Sequence, residues 1–182
     1  MFDLVIRGGT LPDGRVADIG ARGDRIAAVG DLAGAEAGRI IEAAGDLVAP
    51  PFVDPHFHMD ATLSYGLPRV NASGTLLEGI NLWSELREIA TVDEMVGRAL
   101  SYFVWAARMG LLAIRTHVDT TPDHLRGVEA MLEVKRRVAP YLDLQLVAFP
   151  QDGYLRTATG RENVIRALDM GVDVVGGIPH FE

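Results

Sequence analysis

The sequence contains no cysteine. That excludes disulfides and any thiolate site, and it fits a cytoplasmic protein. No apolar run reaches the length of a membrane span, so no membrane partner is expected. The start, Met1-Phe2-Asp3-Leu4-Val5-Ile6-Arg7, lacks the basic leader and apolar segment of a secretory signal. No block of basic residues is present and the net charge is −8, so the electrostatic footprint of a nucleic-acid partner is missing. Low-complexity segments and short repeats are absent too. What is there is a chain of 182 residues, 48% apolar and 23% charged, enough for one globular domain with a core, or one domain plus a small appendage.

The first fifty residues read as short strands and turns. Asp3-Leu4-Val5-Ile6-Arg7 is a β-branched run closed by Gly8-Gly9, and Asp13-Gly14 and Gly23-Asp24 are hairpin-type turns. Val16 to Ala21 and Arg25 to Gly30 alternate loosely, as half-buried strands do. The expectation is a small antiparallel sheet that carries no chemistry and is too small to stand alone.

Beyond residue 50 the rhythm changes to strand and helix. Apolar strands are expected near 48–56, 111–117, 142–149 and 172–178. Leu76, Ile80, Trp83 and Leu86 fall at helical spacing, and Trp83, Phe103 and Trp105 are expected in the core. Thr91-Val92-Asp93-Glu94 is a capping box that opens a second helix. Thr121-Pro122-Asp123 is expected to start a third, with proline at its first position, and a fourth runs from about Glu162 to Met170. Helix-covered apolar strands imply a parallel sheet. Each strand ends in polar residues: His56 and His58, His117 and Asp119, Gln151 and Asp152, His180 and Glu182. Strand C-termini are where α/β barrels and open sheets gather their sites. No glycine-rich dinucleotide fingerprint follows any of these strands, which favours a barrel.

The stretch with the clearest chemistry is Asp54-Pro55-His56-Phe57-His58-Met59-Asp60. On a strand, side chains at i and i+2 share a face, so His56 and His58 aim two imidazoles at one point. Imidazole suits zinc, iron, copper and nickel. The spacing alone leaves two readings open: shared metal ligands, or loop histidines that bind nothing.

Several stretches together resemble the amidohydrolase superfamily and, within it, the bacterial cytosine deaminases. They are Pro55-His56-Phe57-His58-Met59-Asp60, Ser73-Gly74-Thr75-Leu76-Leu77-Glu78-Gly79-Ile80, Arg115-Thr116-His117-Val118-Asp119, Asp143 to Gln151, and Ile178-Pro179-His180-Phe181-Glu182. The resemblance implies an α/β fold: residues 1–49 as a small β-sandwich portion, and 50–182 as the first four βα units of a (β/α)₈, TIM-like barrel. It implies one divalent metal, iron or zinc, with His56 and His58 among its ligands. Gln151 is implied as the side chain that reads the amide edge of a pyrimidine, and Leu76 as a backbone contact to the ring. The reaction implied is metal-dependent hydrolytic deamination of cytosine to uracil and ammonia.

In that family the remaining ligands and the proton-transferring carboxylates come from later strands, which this sequence does not contain. The chain is therefore expected to be the N-terminal part of such an enzyme, inactive alone, with no acid or base before Glu182; homo-oligomers are common in the family. His117 is expected to support the site or to be structural, and His180 to line it or to be structural. Asp60, Asp119 and Glu182 are expected as rim carboxylates that hydrogen-bond the ligands or loops. Alternative readings are an amidohydrolase acting on isocytosine or on s-triazines such as N-alkyl ammelides, and a non-catalytic half-barrel subunit.

Overall fold

A computed structural model of the chain describes residues 1–179 and Glu182. Two compact units are present, Met1–Pro50 and Pro51–Glu182. Among the described residues, no helix is long and apolar enough to cross a membrane.

In the first unit, β1 (Phe2–Thr10), β2 (Val16–Arg22), β3 (Arg25–Gly30) and β4 (Ala37–Glu42) form a sheet in the order β3-β2-β1-β4. The two glycine turns make the β1-β2 and β2-β3 hairpins, both antiparallel. The sheet is not wholly antiparallel, as expected from the turns, because β4 pairs parallel with β1. The hairpins occupy only one edge of β1, and 31–36 carries the chain across to the other. Asp18 pins that path: its carboxylate accepts the N–H of Gly8 and of Leu32, both at 2.8 Å. Gly8-Gly9 sits at a break in the β1-β2 register, and a Cβ on Gly9 would meet Val48 Cγ2 at 2.4 Å. Only glycine fits there.

In the second unit, β5 (Phe52–Phe57), β6 (Leu111–Asp119), β7 (Asp143–Phe149) and β8 (Val174–Val175) pair in sequence order, all parallel. α1 (Leu76–Ile89) and α2 (Val92–Arg108) lie between β5 and β6, α3 (Arg126–Val138) between β6 and β7, and α4 (Gly160–Asp169) between β7 and β8. The β6-β7 ladder runs unbroken from Ala113↔Asp143 to Asp119↔Phe149. The β5-β6 ladder breaks twice, between Phe52 and Val53 and between Asp54 and Phe57. Pro55 lies in the second break and has no N–H to give. The His56 N–H turns instead to the Asp54 carboxylate, at 3.1 Å.

One face of the sheet carries the core. Ile114, Val118, Leu144, Leu146 and Ala148 pack with Met95, Val128, Met131 and Val134 of the helices. The opposite face carries Arg115 and His117 of β6 and Gln145 of β7, because side chains alternate. α2 opens with the expected capping box: the Thr91 N–H donates to Glu94 Oε2 at 2.8 Å, and the Glu94 N–H donates to Thr91 Oγ1 at 3.2 Å.

Three elements depart from expectation. α3 begins at Arg126, not at Thr121, because 121–125 is used elsewhere: the Thr121 N–H goes to Asp119 Oδ1 at 2.8 Å, and Asp123 Oδ1 takes the Asn163 amide at 2.9 Å. Leu125, left-handed at φ 46, then turns the chain into the helix. β8 is a two-residue strand instead of the run expected over 172–178. Gly176 crosses so close to β7 that a Cβ would meet Val147 Cγ1 at 2.6 Å, and Pro179 follows. In α1 the buried positions are Leu82, Leu86 and Arg87, while Leu76 is 78% exposed.

Replacing Thr91 with Ala should cost about 1 kcal/mol, read from the urea midpoint. Glu78 gives a pH test. Hydrogen bonds from Ser73, then from the Ala72 N–H, hold its carboxyl at about 2, below the ordinary 4.5. A depressed carboxyl contributes stability above its unfolded pKa and loses it as the pH falls through the folded one. Wild type should therefore exceed Glu78→Gln in stability at pH 7, and the two should converge between about pH 4.5 and pH 2 in urea titrations.

Candidate functional site

At the end of β5 the side chains split between the two faces. Phe57 turns toward the helices and stacks on Tyr102 of α2, ring centroids 4.4 Å apart. The two imidazoles flanking it, His56 and His58, lie 5.4 Å apart, centroid to centroid. His117 of β6 joins them, stacked on His56 at 3.9 Å and 5.7 Å from His58. Phe149, last residue of β7, meets His58 and His117 edge-on at 5.5 and 5.4 Å. Three adjacent parallel strands thus deliver three imidazoles and one aromatic wall to one place.

Burial, then the neighbouring His56, lowers the pKa of His58 below its ordinary value. Burial, then His56 and His58, lowers that of His117. Lowered imidazoles are neutral near pH 7 and keep a nitrogen lone pair free for a metal. His117 Nδ1 is buried with no hydrogen-bond partner. The chemistry of this donor set fits a zinc- or iron-type ion. Among the described residues, no group of three or more His, Asp or Glu has the arrangement to hold a metal ion.

The turn after His58 is fastened to β6 by buried hydrogen bonds. The Met59 N–H donates to Thr116 Oγ1 at 2.8 Å, and the Asp119 N–H donates to Asp60 Oδ2 at 2.9 Å. From α2, Arg98 Nε donates to the Thr62 carbonyl at 3.1 Å. Asp60 and Asp119 are not rim carboxylates: they are 1% and 4% exposed, covered by the helices that meet this corner. Burial pushes the Asp60 carboxyl up to about 7, against the hydrogen bond from the Asp119 N–H.

Asp119 is the hub of this corner. Its Oδ2 accepts Trp83 Nε1–H at 2.8 Å and an Arg87 N–H at 2.6 Å. The other end of the same guanidinium reaches Asp152 Oδ2, also at 2.6 Å. Burial works against the Arg87 charge, but the Asp119 and Asp152 carboxylates more than offset it and raise its pKa. Sequence reasoning missed Arg87. The signal that could have found it is its place four residues after Trp83, on the same helix face.

Gln151 follows Phe149 and Pro150 into the β7-α4 loop and is half-buried. Leu76 is not brought to the histidines by any described contact; it opens α1 about two turns, roughly 10 Å, before Trp83. His180 lies outside the described residues. The Glu182 carboxylate accepts the N–H groups of Tyr154 and Leu155 at 2.6 and 2.8 Å, in the loop that follows Gln151. Trp83 is half-buried through its bond to Asp119, whereas Trp105, expected in the core, is 59% exposed.

The amidohydrolase family model matches residues 39–182. In sequence the chain is similar to N-isopropylammelide isopropyl amidohydrolase of Pseudomonas sp. (strain ADP): 34% identical over 187 aligned residues, covering 97% of this chain and 45% of that protein. In structure it is similar to 5-methylcytosine deaminase from Klebsiella pneumoniae liganded with phosphonocytosine, at TM-score 0.89 and 42% identity over 98% of this chain and 44% of that one. It is also similar to N-isopropylammelide isopropylaminohydrolase from Burkholderia multivorans, at TM-score 0.77 and 29% identity over 97% of this chain and 45% of that one. The chain spans a little under half the length of these relatives.

Trp83→Phe keeps most of the ring and removes the donor to a buried carboxylate. It should lower stability by roughly 1.5–3 kcal/mol, read as a fall in urea midpoint at constant slope.

Proposed function

The chain belongs to the amidohydrolase family, its fold is the first part of that family's barrel, and from that premise we propose that it is the N-terminal part of a metal-dependent enzyme that hydrolytically deaminates cytosine or a close pyrimidine analogue. The observation that carries the reading is that His56 and His58 sit side by side at the end of β5, with the His58 ring edge-on to Phe149, the last residue of β7 and two positions before Gln151. The likeness to a 5-methylcytosine deaminase over 98% of this chain supports the pyrimidine substrate.

On this reading His56 and His58 hold one divalent metal, zinc or iron. Such an ion supplies Lewis acidity and lowers the pKa of water at neutral pH. Gln151 presents one donor and one acceptor to the ring's amide edge and so fixes which ring atom faces the metal side. Phe149 walls the site and restricts water beside the imidazoles. The buried Asp60 and Asp119 hold the turn after His58 in place and do not transfer protons. The carboxylates that do belong to polypeptide beyond Glu182. We place the protein in the cytoplasm, with a small heterocycle as its partner and a homo-oligomer as its complete form.

A second reading, hydrolysis of an N-alkylated s-triazine, is favoured by the 34% identity to the Pseudomonas ammelide enzyme over 97% of the chain. Gln151 separates the two, because a triazine presents a different amide edge. In the complete enzyme, Gln151→Glu should cut cytosine turnover by at least about tenfold, with a smaller effect on an N-alkyl ammelide. Equal losses on both would remove Gln151 from substrate recognition.

Expressed alone with added iron or zinc, the 182-residue chain should release no ammonia from cytosine; clear turnover would overturn its reading as part of an enzyme. In equilibrium dialysis the chain should take up zinc weakly, and His56→Ala with His58→Ala should abolish that uptake. Unchanged uptake in the double variant would place the metal elsewhere.

A further inference from the structure

We infer that Arg87 is a positioning residue for substrate recognition: it clamps Asp152, and with it the adjoining Gln151, to the fixed carboxylate of Asp119. The inference rests on the reading of Gln151 as the substrate contact.

The geometry is that of a bridge with one firm abutment. Asp119 is held by Trp83 and by the Thr121 N–H at 2.8 Å each, and its own N–H is taken by Asp60 at 2.9 Å. Arg87 joins this point at 2.6 Å and Asp152 at 2.6 Å, through different ends of its fork. The side chains of Arg87 and Asp119 are 10% and 3% exposed, whereas that of Asp152 is 34% exposed. The clamp therefore runs from the core outward to a loop. A second tie holds the same residue, since the Asp152 N–H donates to Thr121 Oγ1 at 3.1 Å.

Stability alone does not account for the arrangement. One cation faces the Asp119 and Asp152 carboxylates at hydrogen-bond distance and that of Glu88 at 3.8 Å, and Arg87 Nε is buried with no hydrogen-bond partner. A buried charged cluster left with an orphan donor is a poor stabiliser compared with apolar packing. What the guanidinium does well is fix two carboxylates at a set spacing and angle, which a lysine ammonium cannot. An amide that reads a donor–acceptor edge needs that kind of fixing, because loop side chains are otherwise mobile.

The test separates the clamp from a general structural role. Asp152→Ala leaves the buried Arg87–Asp119 pair intact and cuts only the outward link; Asp152→Asn keeps an oxygen for the guanidinium. Amide hydrogen exchange on this chain should rise in 150–155 for Asp152→Ala, stay unchanged in the helices, and be largely restored in Asp152→Asn. In the complete enzyme KM for cytosine should rise at least about tenfold with kcat within about twofold, as expected when a binding contact is misplaced. Unchanged exchange in the loop, faster exchange throughout the helices, or an unchanged KM would each overturn the assignment. If the wild-type enzyme does not turn over cytosine, the functional reading fails, and the exchange result alone decides whether Arg87 anchors the loop.

Discussion

A carboxylate cannot be buried without donors, and Asp119 at the end of β6 is buried. The indole of Trp83, the guanidinium of Arg87 and the N–H of Thr121 supply what it needs. The first two donors come from α1 and the third from the chain that leaves β6. Through Trp83 and Arg87, α1 is oriented over the strand ends. Through Thr121, the chain leaving β6 is turned away from a helix and into a loop, which delays α3 to Arg126. Through Arg87, the loop after β7 is drawn to the same point. The desolvation of one side chain thus sets the layout of the corner where the imidazoles lie.

The imidazoles owe their position to a different rule, the two-residue period of a strand. In β6 the positions Ile114, Thr116 and Val118 face the helices and are buried. His117, between them, must face the other way. The same parity separates Phe57 from His56 and His58. Parallel pairing in sequence order then lines up the exits of β5, β6 and β7, so residues far apart in the chain meet without any one of them being exceptional locally. The core on one face fixes the register, and the polar cluster on the other follows from it.

What was legible in the sequence was what depends on neighbours in the chain. His56-x-His58 announced a shared face, Thr91-x-x-Glu94 announced its helix, and the strand–helix rhythm announced the parallel sheet. What was not legible depends on partners tens of residues away. Asp123 reads as a helix opener, yet its carboxylate serves Asn163 of α4 and leaves the helix uncapped. Arg87 carries no local signal of its role, yet carboxylates from the end of β6 and the loop after β7 draw it inside. Asp60 and Asp119 read as rim groups because sequence marks a strand's end but not what packs over it. Leu76 reads as an apolar helix position, and the structure leaves it outside.

The interrupted ladder at Pro55 has a mechanical consequence. Between Asp54 and Phe57 the register of β5 against β6 shifts, and the His56 N–H is satisfied locally by Asp54. Pairing resumes at Phe57 against Thr116, and the Met59 N–H then donates to Thr116 Oγ1. The histidine arm is therefore a bulged span, tied to β6 at Asp54 and Phe57 and fastened again just beyond His58. Behind that span the β6-β7 pair runs in unbroken register from Ala113↔Asp143 to Asp119↔Phe149 and gives it a continuous backing.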